Sequence, residues 1–366
     1  MKVLVLAPPL AGVGGIQRYT GTLVRALRDL FHDKNVRCVA IPEVLRGNVR
    51  GRLSWRSKLN FGCHALWEAV RWRPDLIMCT HLSLGPVAWL LASLGRRPYW
   101  IVVHGIEAWI PLPSVKRLAL RRADRVIVTS RLNFEQVTKR QQVKAECIAT
   151  LPCALDETLT TVQPADTGPH QSLAAGQPVV LTVARMDASE QYKGHDVILR
   201  ALPSVLSRVP NLIYVVVGEG DDRARLEALA ESLGIRPHIF FTGRVSDSEL
   251  VALYSRSDVF ALPAQTVLNG QEAKGEGFGI VFLEAMAFGK PVIGPNEGAP
   301  TEIIHHGRHG LLVNPLDSAA MAEALVDLLT NPDKARDMGQ AGSDWVRKQY
   351  SYGSFRENLK GIFANS

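Results

Sequence analysis

QPVVLTVARMDASEQYKGHDVILRAL, residues 177–202, decides the fold. The apolar run Val179 to Val183 has the length of a buried strand, a polar loop follows it, and Asp196 to Leu206 carries the apolar spacing of a helix. The same strand-then-helix unit repeats downstream. Strands are expected at 212–217, 239–242, 259–262, 291–293 and 310–313. Helices are expected at 222–233 and 247–256, with a short one near Glu302 and two more closing the chain. This alternation predicts a parallel sheet with helices on its faces.

Working upstream, the pattern is already present before residue 150. Apolar strands are expected at 3–6, 37–41, 76–79, 99–103 and 126–129. After the first comes AGVGGIQRYTGTLVRAL, a glycine loop opening into an amphipathic helix with Leu23, Val24, Leu27 and Leu30 on one face. Between the two series lies TTVQPADTGPHQSLAAG, rich in Pro, Gly, Ser and Thr and without periodicity, which reads as a linker. The fold class is therefore α/β, two doubly wound parallel-sheet domains. The expected division is a first domain over 1–165, a linker over 166–176 and a second domain over 177–349. A length of 366 residues suits two cores better than one.

Composition excludes several classes. Hydrophobic residues make up 46% and charged residues 21%, the balance of a water-exposed globular chain. No apolar run approaches the roughly 20 residues of a membrane-spanning helix. The start, MKVLVLAPP, has too short an apolar run for a signal sequence and reads as the first strand, so a cytoplasmic chain is expected. Five cysteines without a C-x-x-C spacing argue for reduced thiols and against structural zinc. The net charge of +7 is unevenly spread: residues 1–170 hold 24 Lys and Arg against 12 Asp and Glu, and the remainder holds 18 against 23. Basic clusters at Arg46 to Lys58 and Lys116 to Arg125 suit the anionic inner face of a membrane or a phosphorylated lipid, or else are solvated faces. Neither cluster sits in a nucleic-acid-binding module, so no nucleic acid is expected.

Ligands of such sheets lie beyond the carboxyl ends of the strands. The candidates there are Gly14 and Gly15, whose amides can approach a diphosphate, and the histidines His81 and His104. Ser130 and Arg131 end a further strand. In the second domain Arg185 and Lys193 offer a guanidinium fork and a mobile ammonium for a diphosphate, with surface pairing to Asp187 or Glu190 as the alternative. Gly218 ends the next strand, and Arg244 and Val245 the one after; these can wall a nucleobase. GEGFGIVFLEA, residues 275–285, then places a glutamate at each end of a glycine-opened helix start. Exposed amides there attract anions. Glu276 and Glu284 lie at most about 12 Å apart along a helix axis, roughly the span from sugar to ribose in a nucleoside diphosphate sugar. An acidic first turn with an ordinary buried face is the simpler alternative for either Glu alone. The dinucleotide fingerprint is broken, because Gln17 stands where a third glycine would be needed after Gly12 and Gly14.

Taken together, the GG loop, HGIEAW, the Arg185 and Lys193 pair, GEGFGIVFLEA, KPVIGPNEGAPTEII and the closing 350–363 helix resemble the retaining glycosyltransferases of family 4. The resemblance covers nearly the whole chain. It implies the GT-B fold, two Rossmann-like domains with an interdomain cleft, and a last helix (about 350–366) that returns to the first domain. It implies transfer of a hexosyl group from GDP-mannose or a UDP-hexose to a hydroxyl of a glycan or lipid-linked acceptor in envelope or extracellular polysaccharide synthesis. The family's E-x7-E motif maps to Glu276 on the donor sugar and Glu284 on the ribose, with the amides of Phe278, Gly279 and Ile280 on the sugar and distal phosphate. Gly15 maps to the glycine meeting the phosphate, Arg185 and Lys193 to the pair neutralising the diphosphate, and His104 to the active-site histidine. The Arg185 to Lys193 segment and the Gln265 to Glu272 loop are longer than in the commonest members. No D-x-D occurs, so no metal and no cofactor are expected; the cations serve instead. Two rivals remain at this point: a non-catalytic nucleotide-sugar-binding homologue, and an NAD(P)-dependent oxidoreductase, which fails at the fingerprint.

Overall fold

The computed structural model describes residues 1–10, 14–42, 55–168, 171, 173–270 and 272–365. Gly12, most of the Arg46 to Lys58 cluster and parts of the expected linker and of the 265–272 loop lie outside the described residues. The chain forms two compact units, Met1–Ala154 with Tyr352–Ser366, and Leu155–Ser351.

In the first unit, β1 (Val3–Ala7), β2 (Val36–Ala40), β3 (Leu76–Cys79), β4 (Tyr99–Val103), β5 (Arg125–Val128) and β6 (Ile148–Thr150) form one sheet in the order β2-β1-β3-β4-β5-β6. Every pairing is parallel. β1, β3 and β4 are buried along their whole length, as expected when helices cover both faces of a sheet. The strand direction of travel reverses at β1, so a crevice opens between the carboxyl ends of β1 and β3. The helix Gly15–Phe31 leaves β1 and buries Leu23, Val24 and Leu27, the face its periodicity predicted.

The closing helix Tyr352–Ala364 belongs to this first unit. Its Phe363 ring stacks on Trp100 with centroids 4.5 Å apart, and Phe355 meets Tyr19 edge-on at 5.6 Å. Tyr352 donates its hydroxyl to Asp29 and lies under the Arg25 guanidinium.

The second unit repeats the plan with β7 (Val179–Val183), β8 (Ile213–Val217), β9 (Ile239–Gly243), β10 (Val259–Ala261), β11 (Val267–Leu268), β12 (Ala273–Lys274), β13 (Val292–Pro295) and β14 (Gly310–Val313). Its sheet runs β14-β13-β10-β7-β8-β9, all parallel, and reverses at β7. The switch-point crevice therefore lies between β7 and β10. β11 and β12 form a separate antiparallel hairpin, which is what the lengthened 265–272 loop builds.

The boundary between units falls before the Pro- and Gly-rich stretch. The helix Glu157–Thr161 packs against the helix Asp247–Arg256. Ala165 N–H donates to Ser248 O at 3.0 Å, and Arg256 donates to the carbonyls of Ala174 and Gln177 at 2.6 Å each. Turn-forming composition marks a change of direction here, while these bonds tie the segment to the second unit.

Candidate active site

In the second unit, the loops leaving β7 and β10 at the switch point bring together the charged residues that the sequence singled out. Arg185 and Lys193 follow β7; Glu276 follows β10 by way of the hairpin. Lys193 and Glu276 form an ion pair with both side chains only 14% exposed. Burial by itself depresses the Lys193 ammonium, but Glu276, with Tyr192 and Glu190, outweighs it and holds the ammonium above its ordinary range. Tyr192 lies under the same ammonium, 5.3 Å from ring centroid to Nζ. The partner of Lys193 is thus the motif glutamate rather than Asp187 or Glu190. Arg185 takes those two instead, at 2.5 Å from Glu190 and 3.8 Å from Asp187, with its side chain 67% exposed. Each cation is held in place by a carboxylate.

Gly279 opens the helix Ile280–Ala287 at φ 102°, and no side chain caps it. A β-carbon at Gly279 would stand 2.8 Å from the Phe282 ring. Gly279 thus offers no side chain to cap the helix's first amides, beside Phe278 and Ile280. Glu284 differs from Glu276: it lies within the helix at 3% exposure, and the Tyr254 hydroxyl donates to it at 2.9 Å. Tyr254 escaped sequence reasoning, being 30 residues away on another helix. Tyr254 is in turn held by Phe288, stacked at 5.3 Å.

Gly218, at φ 144°, lets the end of β8 lie against the chain leaving β7; a β-carbon there would collide with the Ala184 carbonyl. Ala184 N–H donates to Val217 O and Met186 N–H to Glu219 O, clamping the Arg185 loop between. Arg244 stands 4.0 Å from Glu219, both well exposed, and Val245 follows it. The hairpin is fixed to the same region: Gln265 N–H donates to Tyr192 O and Thr266 N–H to Glu297, each at 2.7 Å. Glu297 was missed because nothing in NEGAPTE distinguishes a tether from a surface carboxylate.

In the first unit, Gly14 caps the helix Gly15–Phe31 without a side-chain bond and in extended conformation. Tyr19, one turn on, meets the His104 ring edge-on at 5.1 Å. His104 ends β4. Its Nε2 lies 2.7 Å from the Thr80 carbonyl, which can only accept, so Nε2 is the donor of this bond. The backbone of His104 is held as well: its N–H donates to Glu107 at 2.6 Å, and its carbonyl accepts from Asn133 and Thr129. His81 stacks on His104 at 6.2 Å and accepts from Ser83 N–H through Nδ1. Burial lowers the His81 pKa, with Glu107 opposing and His104 and Lys116 reinforcing, which favours a neutral ring donating from Nε2. Gly15, His81 and His104 therefore gather at the carboxyl ends of β1, β3 and β4. Ser130 is buried and caps the helix Arg131–Gln141, a structural role.

Two parallel-sheet units with charged and glycine-rich loops at their switch points define a GT-B protein, and solved structures agree. HepE from Anabaena, crystallised in complex with UDP, aligns over 100% of both chains with a TM-score of 0.77 at 19% identity. Sucrose-phosphate synthase from Thermosynechococcus elongatus aligns over 100% of both chains at 0.78 and 23%. Residues 169–345 match the model for glycosyl transferases group 1, and residues 13–159 match that for Glycosyltransferase Family 4. A GDP-mannose-dependent alpha-(1-6)-phosphatidylinositol monomannoside mannosyltransferase from Mycolicibacterium smegmatis is 34% identical over 74% of this chain and 70% of its own length. The chain belongs to the family 4 glycosyltransferases. The protein of the same description from Mycobacterium tuberculosis is 38% identical, though the match covers 50% of this chain and 46% of that relative, about half its length.

Proposed function

We propose that this chain is a retaining hexosyltransferase that moves mannose from GDP-mannose to a hydroxyl of a lipid-linked acceptor. The observation that carries this reading is the partly buried Lys193–Glu276 pair at the β7/β10 switch point, in a chain whose mannosyltransferase relatives use GDP-mannose. Before donor arrives, each charge neutralises the other. A diphosphate would take Lys193 and Arg185 from their carboxylates, and the sugar hydroxyls would take Glu276. Exchanging one set of charge-assisted bonds for another limits the desolvation cost of binding.

As the bond to the anomeric carbon breaks, negative charge grows on the leaving diphosphate. Lys193, Arg185 and the uncapped amides at Gly279 supply preorganised positive potential for it. We assign Glu284 to the ribose, Arg244 and Val245 to the base, and His104 to the transferred sugar. Front-face attack fits, with the departing phosphate oxygen accepting the acceptor's proton, because no carboxylate stands out as a nucleophile. These cations perform the work a divalent metal does elsewhere.

The test is a donor panel with product analysis. GDP-mannose should raise the melting temperature more than UDP-glucose. Product formed in EDTA should carry the α configuration of the donor. A β product, or activity lost in EDTA and restored by Mg2+, contradicts the mechanism.

A further inference from the structure

Large apolar side chains left exposed among the described residues concentrate on three helices of the first unit: Trp55–Trp72, Gly85–Gly95 and Ser114–Arg121. Leu66, Trp67 and Val70 stand out on the first, Leu90 and Leu94 on the second, and Val115 on the third, with Val70 and Leu94 each 66% exposed. The three helices pack side by side, first on second and second on third, which gathers these residues on adjoining elements. Between the first two runs a groove of about 320 Å³, lined by Leu66, Val70, Leu91, Leu94, Arg73 and Arg97. Scattered single leucines are normal on a surface; large exposed apolar side chains gathered on three adjoining helices and around a groove are not.

Charge identifies the occupant. The three helices contain one carboxylate, Glu68, and it is buried against Arg37. Exposed cations lie on these helices or just past their ends at Lys58, Arg71, Arg73, Arg96, Arg97 and Arg117, and Arg73 and Arg97 line the groove itself. Arg71 lies over the Trp67 ring at 5.2 Å, pairing an amphipathic indole with a cation as interfacial residues do. A second copy of this chain would bring an equally basic face, and like charges repel. No described helix is long and apolar enough to cross a membrane.

We propose that this face docks on an anionic lipid bilayer, the leucines, valines and Trp67 entering the headgroup boundary and the arginine rim meeting lipid phosphates. The proposal extends the Lys116 to Arg125 cluster to a defined surface and is independent of which donor the enzyme uses, since binding is read without nucleotide.

The experiment is co-sedimentation of the full chain with phosphatidylcholine vesicles, with and without phosphatidylglycerol, at low and high salt. Binding should require phosphatidylglycerol and weaken as salt screens the rim. Val70→Asp with Leu94→Asp should lower partitioning at least about tenfold at low salt. Arg73→Gln with Arg97→Gln should lower it by about fivefold for each charge neutralised. All four positions are exposed, and an unchanged melting temperature shows that the variants are folded. Equal binding to both vesicle types, binding insensitive to these variants, or concentration-dependent dimerisation abolished by Leu94→Asp without any lipid binding each overturns the proposal.

Discussion

At Lys193 and Glu276 a structural role can be separated from the proposed catalytic one. With both side chains 14% exposed, removing one leaves the other as an uncompensated, largely buried charge, a loss of about 3–5 kcal/mol in comparable pairs. Lys193→Met or Glu276→Gln alone should therefore lower both stability and transfer. The double variant should recover much of the stability, measured by urea unfolding, while transfer stays down by orders of magnitude. Recovery of transfer along with stability would reduce the pair to a structural contact. His195 gives a second residue-scale expectation. It is buried, its Nε2 has no hydrogen-bond partner, and burial, reinforced by the Lys193 charge, lowers its pKa to about 4 from 6.5. A histidine depressed in the folded state stabilises fully above its unfolded pKa, and that contribution is lost as pH falls through the folded one. The second unit should lose about 3 kcal/mol between pH 6.5 and pH 4 from this group. His195→Phe should flatten that acid limb in urea titrations at the two pH values; an unchanged limb would contradict the assignment.

At the scale of elements, the hairpin β11–β12 and the Arg185 loop are positioned by bonds between segments distant in sequence. Gly218→Ala should distort the Arg185 loop, because its β-carbon would meet the Ala184 carbonyl and its φ of 144° strains an L-residue. The expected outcome is a destabilisation of about 1–3 kcal/mol with weakened donor binding, read by thermal shift with and without GDP-mannose. Periodicity made the strands and the helix Gly15–Phe31 legible, because buried parallel strands are continuous apolar runs. It did not show β6, three residues long, nor the two-residue strands of the hairpin. Runs that short carry no period. Residue type and position after a strand were enough to single out Arg185, Lys193 and His104, and a glutamate beside a glycine-opened helix start to single out Glu276. Their partners Tyr254, Glu297, Thr80 and Asn133 were not legible, since each is an ordinary residue made specific only by a tertiary contact.

Across the whole molecule, the chain divides its chemistry by charge: a basic first unit and a more acidic second one, each with its own sheet and core. The closing helix completes the first of these cores, burying Phe355 and Leu359. Truncation after Ser351 should lower the melting temperature of the first unit and expose apolar surface to a hydrophobic dye, leaving the second unit's acid limb intact; a truncated chain as stable as the full one would contradict this. The central claim is that the Lys193–Glu276 pair is where donor sugar and diphosphate are handled. It is tested most directly by GDP release from GDP-mannose in the presence of a phosphatidylinositol mannoside acceptor, comparing the full chain with the stability-matched Lys193→Met/Glu276→Gln variant. The account predicts turnover by the full chain and at least about a hundredfold less by the variant, a loss of roughly 2.7 kcal/mol or more in transition-state stabilisation. Near-equal turnover by the two folded proteins would contradict it.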